Sequence, residues 1–244
     1  MNFTDKHVLV TGTASGIGRA TARAFAELGA QVILTDRDTV GGEAAAVALR
    51  TEGLNATFHE LDVTDRAGAA ALASELTRLD VLVNAAGWDI GQPFMDNEPE
   101  FWDKVVAINY LGPVQVSRAF LPLLIESGNG AIVNVASDAG RVGSSGETVY
   151  AGAKGGVIAF SKSLAREMVR KGVRVNCVCP GPTDTPLFDS QPEKIKIALI
   201  NAIPMKRLAA PSEIADAILF FASSRAKFVT GQVLSVSGGL TMVD

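Results

Sequence analysis

Residues 7–28 read HVLVTGTASGIGRATARAFAEL. The first five are mostly aliphatic and form a strand-like run at 7–11. The next seven place three glycines at the spacing G-x-x-x-G-x-G, and a helical pattern follows at 19–28. Strand, glycine-rich turn and helix, in that order, open a doubly wound α/β unit. The glycines allow a backbone to approach a pyrophosphate, and the N–H groups at the helix start face its charge. Gly12, Ser15, Gly16, Ile17 and Gly18 are therefore candidates for holding a dinucleotide. A tight turn without a ligand would use the same glycines, so the assignment depends on what the rest of the chain supplies.

Outward from this stretch, strand and helix patterns alternate with short connections. Strand-like runs lie at 31–35, 56–61, 80–83, 131–136, 173–179 and 233–236, and helical patterns at 41–52, 66–76, 98–124, 148–171, 192–202 and 211–222. This alternation specifies an α/β fold: one Rossmann-type, doubly wound parallel sheet of about seven strands with helices on both faces. The expectation is a single domain over 1–244, with a cofactor half at about 1–130 and a catalytic and substrate half at about 131–244. No repeat, low-complexity linker or domain boundary interrupts it.

Of the 244 residues, 48% are hydrophobic and 20% charged, enough to fill a large core. The net charge of −4 offers no electrostatic footprint for nucleic acid. No apolar run approaches membrane-span length and the N-terminus carries no apolar signal region, so no membrane partner and a cytoplasmic location are expected. Cys177 and Cys179, the two cysteines, are two apart in a strand-like run. That geometry is poor for a mutual disulfide, and they read as small core residues, with no metal site expected.

Two features turn the glycine stretch into an enzyme hypothesis. Asp36 ends the second strand about twenty residues past the glycines, where a carboxylate hydrogen-bonds an adenosine ribose and repels the 2′-phosphate of NADP. NAD is thus the expected cofactor, although Arg37 follows directly and a helix-capping role for Asp36 stays open. Farther on, Ser137 ends the strand at 131–136, and Tyr150 and Lys154 stand at i and i+4 on the following helix. An ammonium close to a phenol lowers its pKa from ~10 by roughly one to three units and prepares it for acid/base work. Asn84-Ala85-Ala86-Gly87 follows the fourth strand and would let backbone approach a flat cofactor. Asn109 interrupts an apolar helix face, and spacing alone assigns it a structural role with a buried partner.

Taken together, these residues resemble the short-chain dehydrogenase/reductase family over the whole chain. The carrying positions are Gly12, Gly16, Ile17 and Gly18, Asp36, Asp62-Val63, Asn84-Ala85-Ala86-Gly87, Asn109, Ser137, Tyr150, Lys154 and Pro180-Gly181. Ala85 departs from the family, which often has a second Asn there. The resemblance implies that Tyr150 is the general acid/base, that Lys154 lowers its pKa and holds the nicotinamide ribose, and that Ser137 positions the substrate oxygen. It implies that Asn109 binds a water in a proton relay. Asp62 and Val63 would meet the adenine, with Asn84, Ala86 and Gly87 beside the cofactor. Thr183 and Thr185 would hold the carboxamide end of the nicotinamide, with Pro180 and Gly181 also at the cofactor. A homotetramer is the usual assembly of the family.

Within that family, residues 86–90, 137–139, 141–147, 179–185 and 232–242 resemble dehydrogenases of 2-hydroxycyclohexanecarboxyl-CoA. The implied activity is NAD-dependent oxidation of a cyclic or aryl secondary alcohol to a ketone, with a CoA thioester as the leading substrate and a smaller ring alcohol as an alternative. Trp88, Asp89, Asp138, Ser144, Glu147, Leu187 and Phe188 are the candidate substrate residues, and Arg141, Lys194 and Lys196 the basic candidates for CoA phosphates. A 3-oxoacyl thioester reductase, whose relatives usually take NADP, and a non-catalytic NAD-binding sensor are the competing readings.

Overall fold

A computed structural model describes residues 1–191 and 193–243; the first residue of the expected helix at 192–202 lies outside them. Its centre is one sheet of β1 (His7–Thr11), β2 (Gln31–Asp36), β3 (Ala56–Glu60), β4 (Val81–Asn84), β5 (Gly130–Val135), β6 (Val173–Pro180) and β7 (Val233–Val236). All neighbours pair in parallel, in the order β3-β2-β1-β4-β5-β6-β7. The chain first winds outward from β1 to β3, then returns to β4 on the other side of β1. That reversal opens a crevice beyond the C-terminal ends of β1 and β4.

The helices are α1 (Gly16–Glu27), α2 (Thr39–Thr51), α3 (Arg66–Glu75), α4 (Pro99–Val106), α5 (Gly112–Glu126), α6 (Ala139–Val142), α7 (Thr148–Met168), α8 (Pro186–Asp189), α9 (Glu193–Ala202) and α10 (Pro211–Ala222). Alternate strand residues feed opposite layers, because side chains of a strand point to opposite faces. Val8, Val10, Val32, Leu34 and Val83 pack with Phe25 of α1, Ala46 and Leu49 of α2 and Ile214 and Ile218 of α10. Leu9, Ile33, Leu82 and Ile132 pack on the other face with Leu72 of α3, Phe120 and Leu124 of α5 and Met168 of α7. With both faces covered, the central strands β1, β4 and β5 are buried and mostly apolar. Phe25 and Phe120 are fully buried, so cutting either to Ala would cost about 3–5 kcal/mol.

The expected helix at 98–124 is broken. α4 ends at Val106, a π-turn occupies Ala107–Leu111, and α5 starts at Gly112. The cause is local: Pro113 has no N–H to give to the Asn109 carbonyl, so the i→i−4 ladder fails there. The Gly112 N–H instead reaches back five residues to the Ala107 carbonyl. α6 and α8, four residues each, escaped the sequence reading because neither is long enough to show a helical period. Cys177 and Cys179 are unpaired and fully buried against Ala136 and Val157.

Candidate active site

The glycine turn owes its path to two backbone conformations. Gly12 (φ 74°) and Gly16 (φ 52°) lie in the left-handed region, open to glycine at little cost. A Cβ on Gly12 would fall 2.8 Å from Ala86 Cα, and one on Gly18 would fall 2.1 Å from the Gly12 carbonyl oxygen. The Thr11 hydroxyl ties the two loops together by accepting the Ala85 and Ala86 N–H groups, at 3.0 and 3.1 Å. α1 begins at Gly16 with no side chain capping its first N–H groups and no acid in its first turn. An uncapped helix start behind a glycine cradle fits a pyrophosphate.

This turn forms one end of a cleft of about 910 Å³. Ser15 and Ile17 line it with the three glycines. Asp36 lines this end too, its carboxylate accepting the Ala14 and Asp38 N–H groups at 2.9 Å each. Asp62 and Val63 line the same end. Against the penalty of burial, the Thr64 N–H and hydroxyl and then Arg37 hold the Asp62 carboxyl below its ordinary value. Ala86, Gly87, Pro180, Gly181, Thr183 and Thr185 continue the wall, and Thr185 Cγ2 would lie 3.1 Å from a Cβ on Gly16. Asn84 does not reach the cleft. It is buried, and its amide donates to the Asn134 side chain (2.7 Å) and the Ser117 hydroxyl (3.1 Å), bracing β4 against β5 and α5.

Ser137, Tyr150 and Lys154 meet in the middle of the cleft. Ser137 lies two residues beyond the C-terminal end of β5, and α7 presents Tyr150 and Lys154 on one face. The Lys154 Nζ donates to the Val135 carbonyl at 2.9 Å and lies 5.6 Å from the centre of the Tyr150 ring. Burial pushes the Lys154 ammonium down to about 8, opposed by Cys179, Cys177 and Asp89. The expected lowering of the Tyr150 pKa is not what the protein alone produces. Burial and then Glu147 push the phenol up, while its side-chain hydrogen bond with Ser137 works the other way.

Asn109 lies behind this group and does not line the cleft. Its Nδ2 donates to the Trp88 carbonyl (2.6 Å) and the Val105 carbonyl (2.9 Å), and its Oδ1 accepts the Trp88 N–H (3.1 Å). Both amide hydrogens are committed to backbone, so the side chain clamps the 87–88 loop to the α4 end.

The substrate candidates divide. Trp88, Asp138, Ser144, Glu147, Leu187 and Phe188 line the cleft. Asp89 is buried behind it, 3% exposed, with no partner for its Oδ2. Burial and then Glu147 push the Asp89 carboxyl up to about 7. Asp138 turns largely toward β7, accepting the Ser235 hydroxyl at 2.5 Å. Arg141 donates to that Ser235 oxygen and to the Val243 carbonyl, at 2.9 Å each. Lys196 pairs with Glu193 at 2.9 Å. None of Arg141, Lys194 and Lys196 lines the cleft, whose basic side chains among the described residues are Arg37 and Lys154.

The sequence reading missed Gln92 and Pro93, Ile195 and Leu199 of α9, and Leu240 and Thr241, which also line the cleft. Ile195 and Leu199, at i and i+4, carried a usable signal; the other four reach the cleft through tertiary folding alone. Among the described residues no group of His, Cys, Asp or Glu is placed to hold a metal, and no helix is long and apolar enough to cross a membrane.

A family model described as enoyl-(acyl carrier protein) reductase matches residues 12–241. The chain is 41% identical over 246 residues to cis-4-hydroxycyclohexanecarboxylate dehydrogenase of Sinomonas cyclohexanicum, covering 99% of this chain and 98% of that one. It is 38% identical over 248 residues to the 3-oxoacyl-[acyl-carrier-protein] reductase of Thermotoga maritima, covering 99% and 100%. The crystal structure of 3-oxoacyl-[acyl-carrier protein] reductase from Brucella melitensis superposes with a TM-score of 0.93 at 34% identity, over 99% of this chain and 93% of that one.

Proposed function

Because the chain belongs to the short-chain dehydrogenase/reductase family, we propose that it is an NAD-dependent dehydrogenase that oxidises a cyclic or aryl secondary alcohol to a ketone, acting as a homotetramer. The observation that carries this reading is the meeting of Ser137, Tyr150 and Lys154 in one cleft with the glycine cradle and Asp36. The Ser137 hydroxyl and the Tyr150 phenol hold the substrate oxygen, and Tyr150 takes the proton of the alcohol at its phenolic oxygen. Lys154 supplies a fixed cation one helical turn away and keeps further donors for a ribose hydroxyl. When bound, the oxidised nicotinamide supplies the hydride acceptor and a positive charge that offsets the effect of burial and Glu147 on Tyr150. The cradle at Gly12–Gly18 holds the pyrophosphate, and the two N–H groups on Asp36 fix its carboxylate toward the ribose. A negative charge there disfavours the 2′-phosphate of NADP.

The substrate end supports a ring: Trp88, Leu187, Phe188, Ile195 and Leu199 form an apolar wall. The Sinomonas relative, named for cis-4-hydroxycyclohexanecarboxylate, supports a ring alcohol as the reacting group. Apart from Lys154, a CoA chain finds no basic side chain in that half among the described residues, so its phosphates would have to lie outside the cleft. The likeness to the Thermotoga maritima protein supports a second reading, reduction of a 3-oxoacyl thioester. Initial rates decide between them. Reduction of NAD with a simple ring alcohol, well above the rate with NADP, supports the proposal. Turnover restricted to a 3-oxoacyl thioester with NADPH overturns it.

A further inference from the structure

The substrate half of the cleft has an unbalanced charge. Of its lining side chains among the described residues, Asp138 and Glu147 are acids, and none is a base apart from Lys154, whose Nζ is turned onto the Val135 carbonyl. Asp138 is occupied by the Ser235 hydroxyl. The Glu147 carboxylate has no hydrogen-bond or ion-pair partner among the described residues. It precedes the first residue of α7, so it and Tyr150 lie three residues apart at the start of that helix. Residues at that spacing share a face about one pitch, ~5 Å, apart. The proximity is also felt electrostatically, since Glu147 opposes ionisation of both Tyr150 and Asp89. Asp89, buried beside it with an unpartnered oxygen, offers no compensating positive charge. Low-dielectric walls strengthen such an uncompensated charge.

We propose that Glu147 is a specificity-determining residue of this cleft, selecting ring alcohols whose remote substituent donates hydrogen bonds or carries positive charge, and rejecting those that carry a carboxylate. The inference deepens the secondary-alcohol reading and rests on it. With the carbinol oxygen at Tyr150, the ring and its remote substituent lie in the cleft that Glu147 also lines, three residues before Tyr150 in the chain. An ammonium or hydroxyl there gains a charge-assisted hydrogen bond, while a carboxylate meets a like charge in a half-buried setting.

The test uses three matched ligands: 4-aminocyclohexanol, 4-methylcyclohexanol and 4-hydroxycyclohexanecarboxylate. Binding is measured by calorimetry with and without NAD, and turnover by NADH formation, for the wild type, Glu147→Gln and Glu147→Lys. The wild type is expected to bind the amine at least ~10-fold more tightly than the carboxylate. Glu147→Gln should bring that ratio toward one, and Glu147→Lys should invert it. Equal binding of the amine and the carboxylate, a wild-type preference for the carboxylate, a ratio unchanged by Glu147→Gln, or no binding of any of the three overturns the assignment. If the amine preference depends on Glu147 but no ring alcohol is oxidised, the dehydrogenase reading falls and the role of Glu147 stands. If all three are oxidised with a discrimination that Glu147→Gln leaves untouched, the reverse holds.

Discussion

Replacing Asp89 by Asn should stabilise the protein in alkali relative to acid. The wild-type carboxyl is 3% exposed, one oxygen lacks a partner, and burial followed by Glu147 pushes it up to about 7 from an ordinary value of 3.8; the Ile90 N–H and Lys154 oppose the rise. Between these two values the unfolded chain has released a proton that the native protein keeps. The contribution to stability is therefore full below about 3.8, falls as pH rises through the window, and levels off above about 7. At ~1.4 kcal/mol per unit the fall amounts to at most about 4 kcal/mol, on the order of 10 °C in Tm for a chain of this size. Asn removes the titration. Its buried amide hydrogens lack a partner and cost about 1–3 kcal/mol, but at every pH alike. The readout is thus the Tm of Asp89→Asn minus that of the wild type, by scanning calorimetry at fixed protein concentration near pH ~4 and pH ~8.5. That difference should rise by roughly 5–10 °C between the two conditions. An equal difference at both would refute the claim that Asp89 is held neutral by its surroundings.

Tyr150→Phe, which removes only the phenolic oxygen, should lower kcat by on the order of 10²-fold or more while leaving the NAD dissociation constant nearly unchanged; near-normal turnover would move the proton to another group. Asp36→Asn removes the charge and keeps an acceptor for one of the Ala14 and Asp38 N–H groups, which bond different carboxylate oxygens, so kcat/KM with NADP should rise relative to NAD by roughly tenfold or more. An unchanged ratio would mean that Arg37 governs that pocket. Gly18→Ala places a Cβ 2.1 Å from the Gly12 carbonyl oxygen, so the turn must open. The cost should be about 1–3 kcal/mol of stability with a weakened NAD affinity, and wild-type affinity would show that the turn is not the pyrophosphate cradle.

The fold was legible in the sequence because its determinants are local. Strand runs such as 7–11 and 131–136 are mostly apolar, helix periods are long, and Gly12, Gly16 and Gly18 announce a turn that other residues enter only with strain. The parallel sheet of seven strands follows from strands and helices in alternation. Chemistry read from close spacing also carried over: Tyr150 and Lys154 share a face of α7 because the helix repeat dictates it. The break at Asn109 was equally local, written in Pro113, and the apolar pattern around it masked the signal.

Tertiary structure decided everything that depends on which side chains meet across the sheet. Asn84 and Asp89 stood in the right loops by sequence, yet register turns Asn84 onto Asn134 and burial withdraws Asp89 behind the wall. Arg141 was the nearest base to the substrate in sequence, but Ser235 and Val243, brought by β7 and the chain end, claim it. The sign of the Tyr150 shift was decided in the same way. A neighbour four residues away can be counted along a helix, whereas desolvation and the charge of Glu147 act through space and depend on how much water the finished fold excludes.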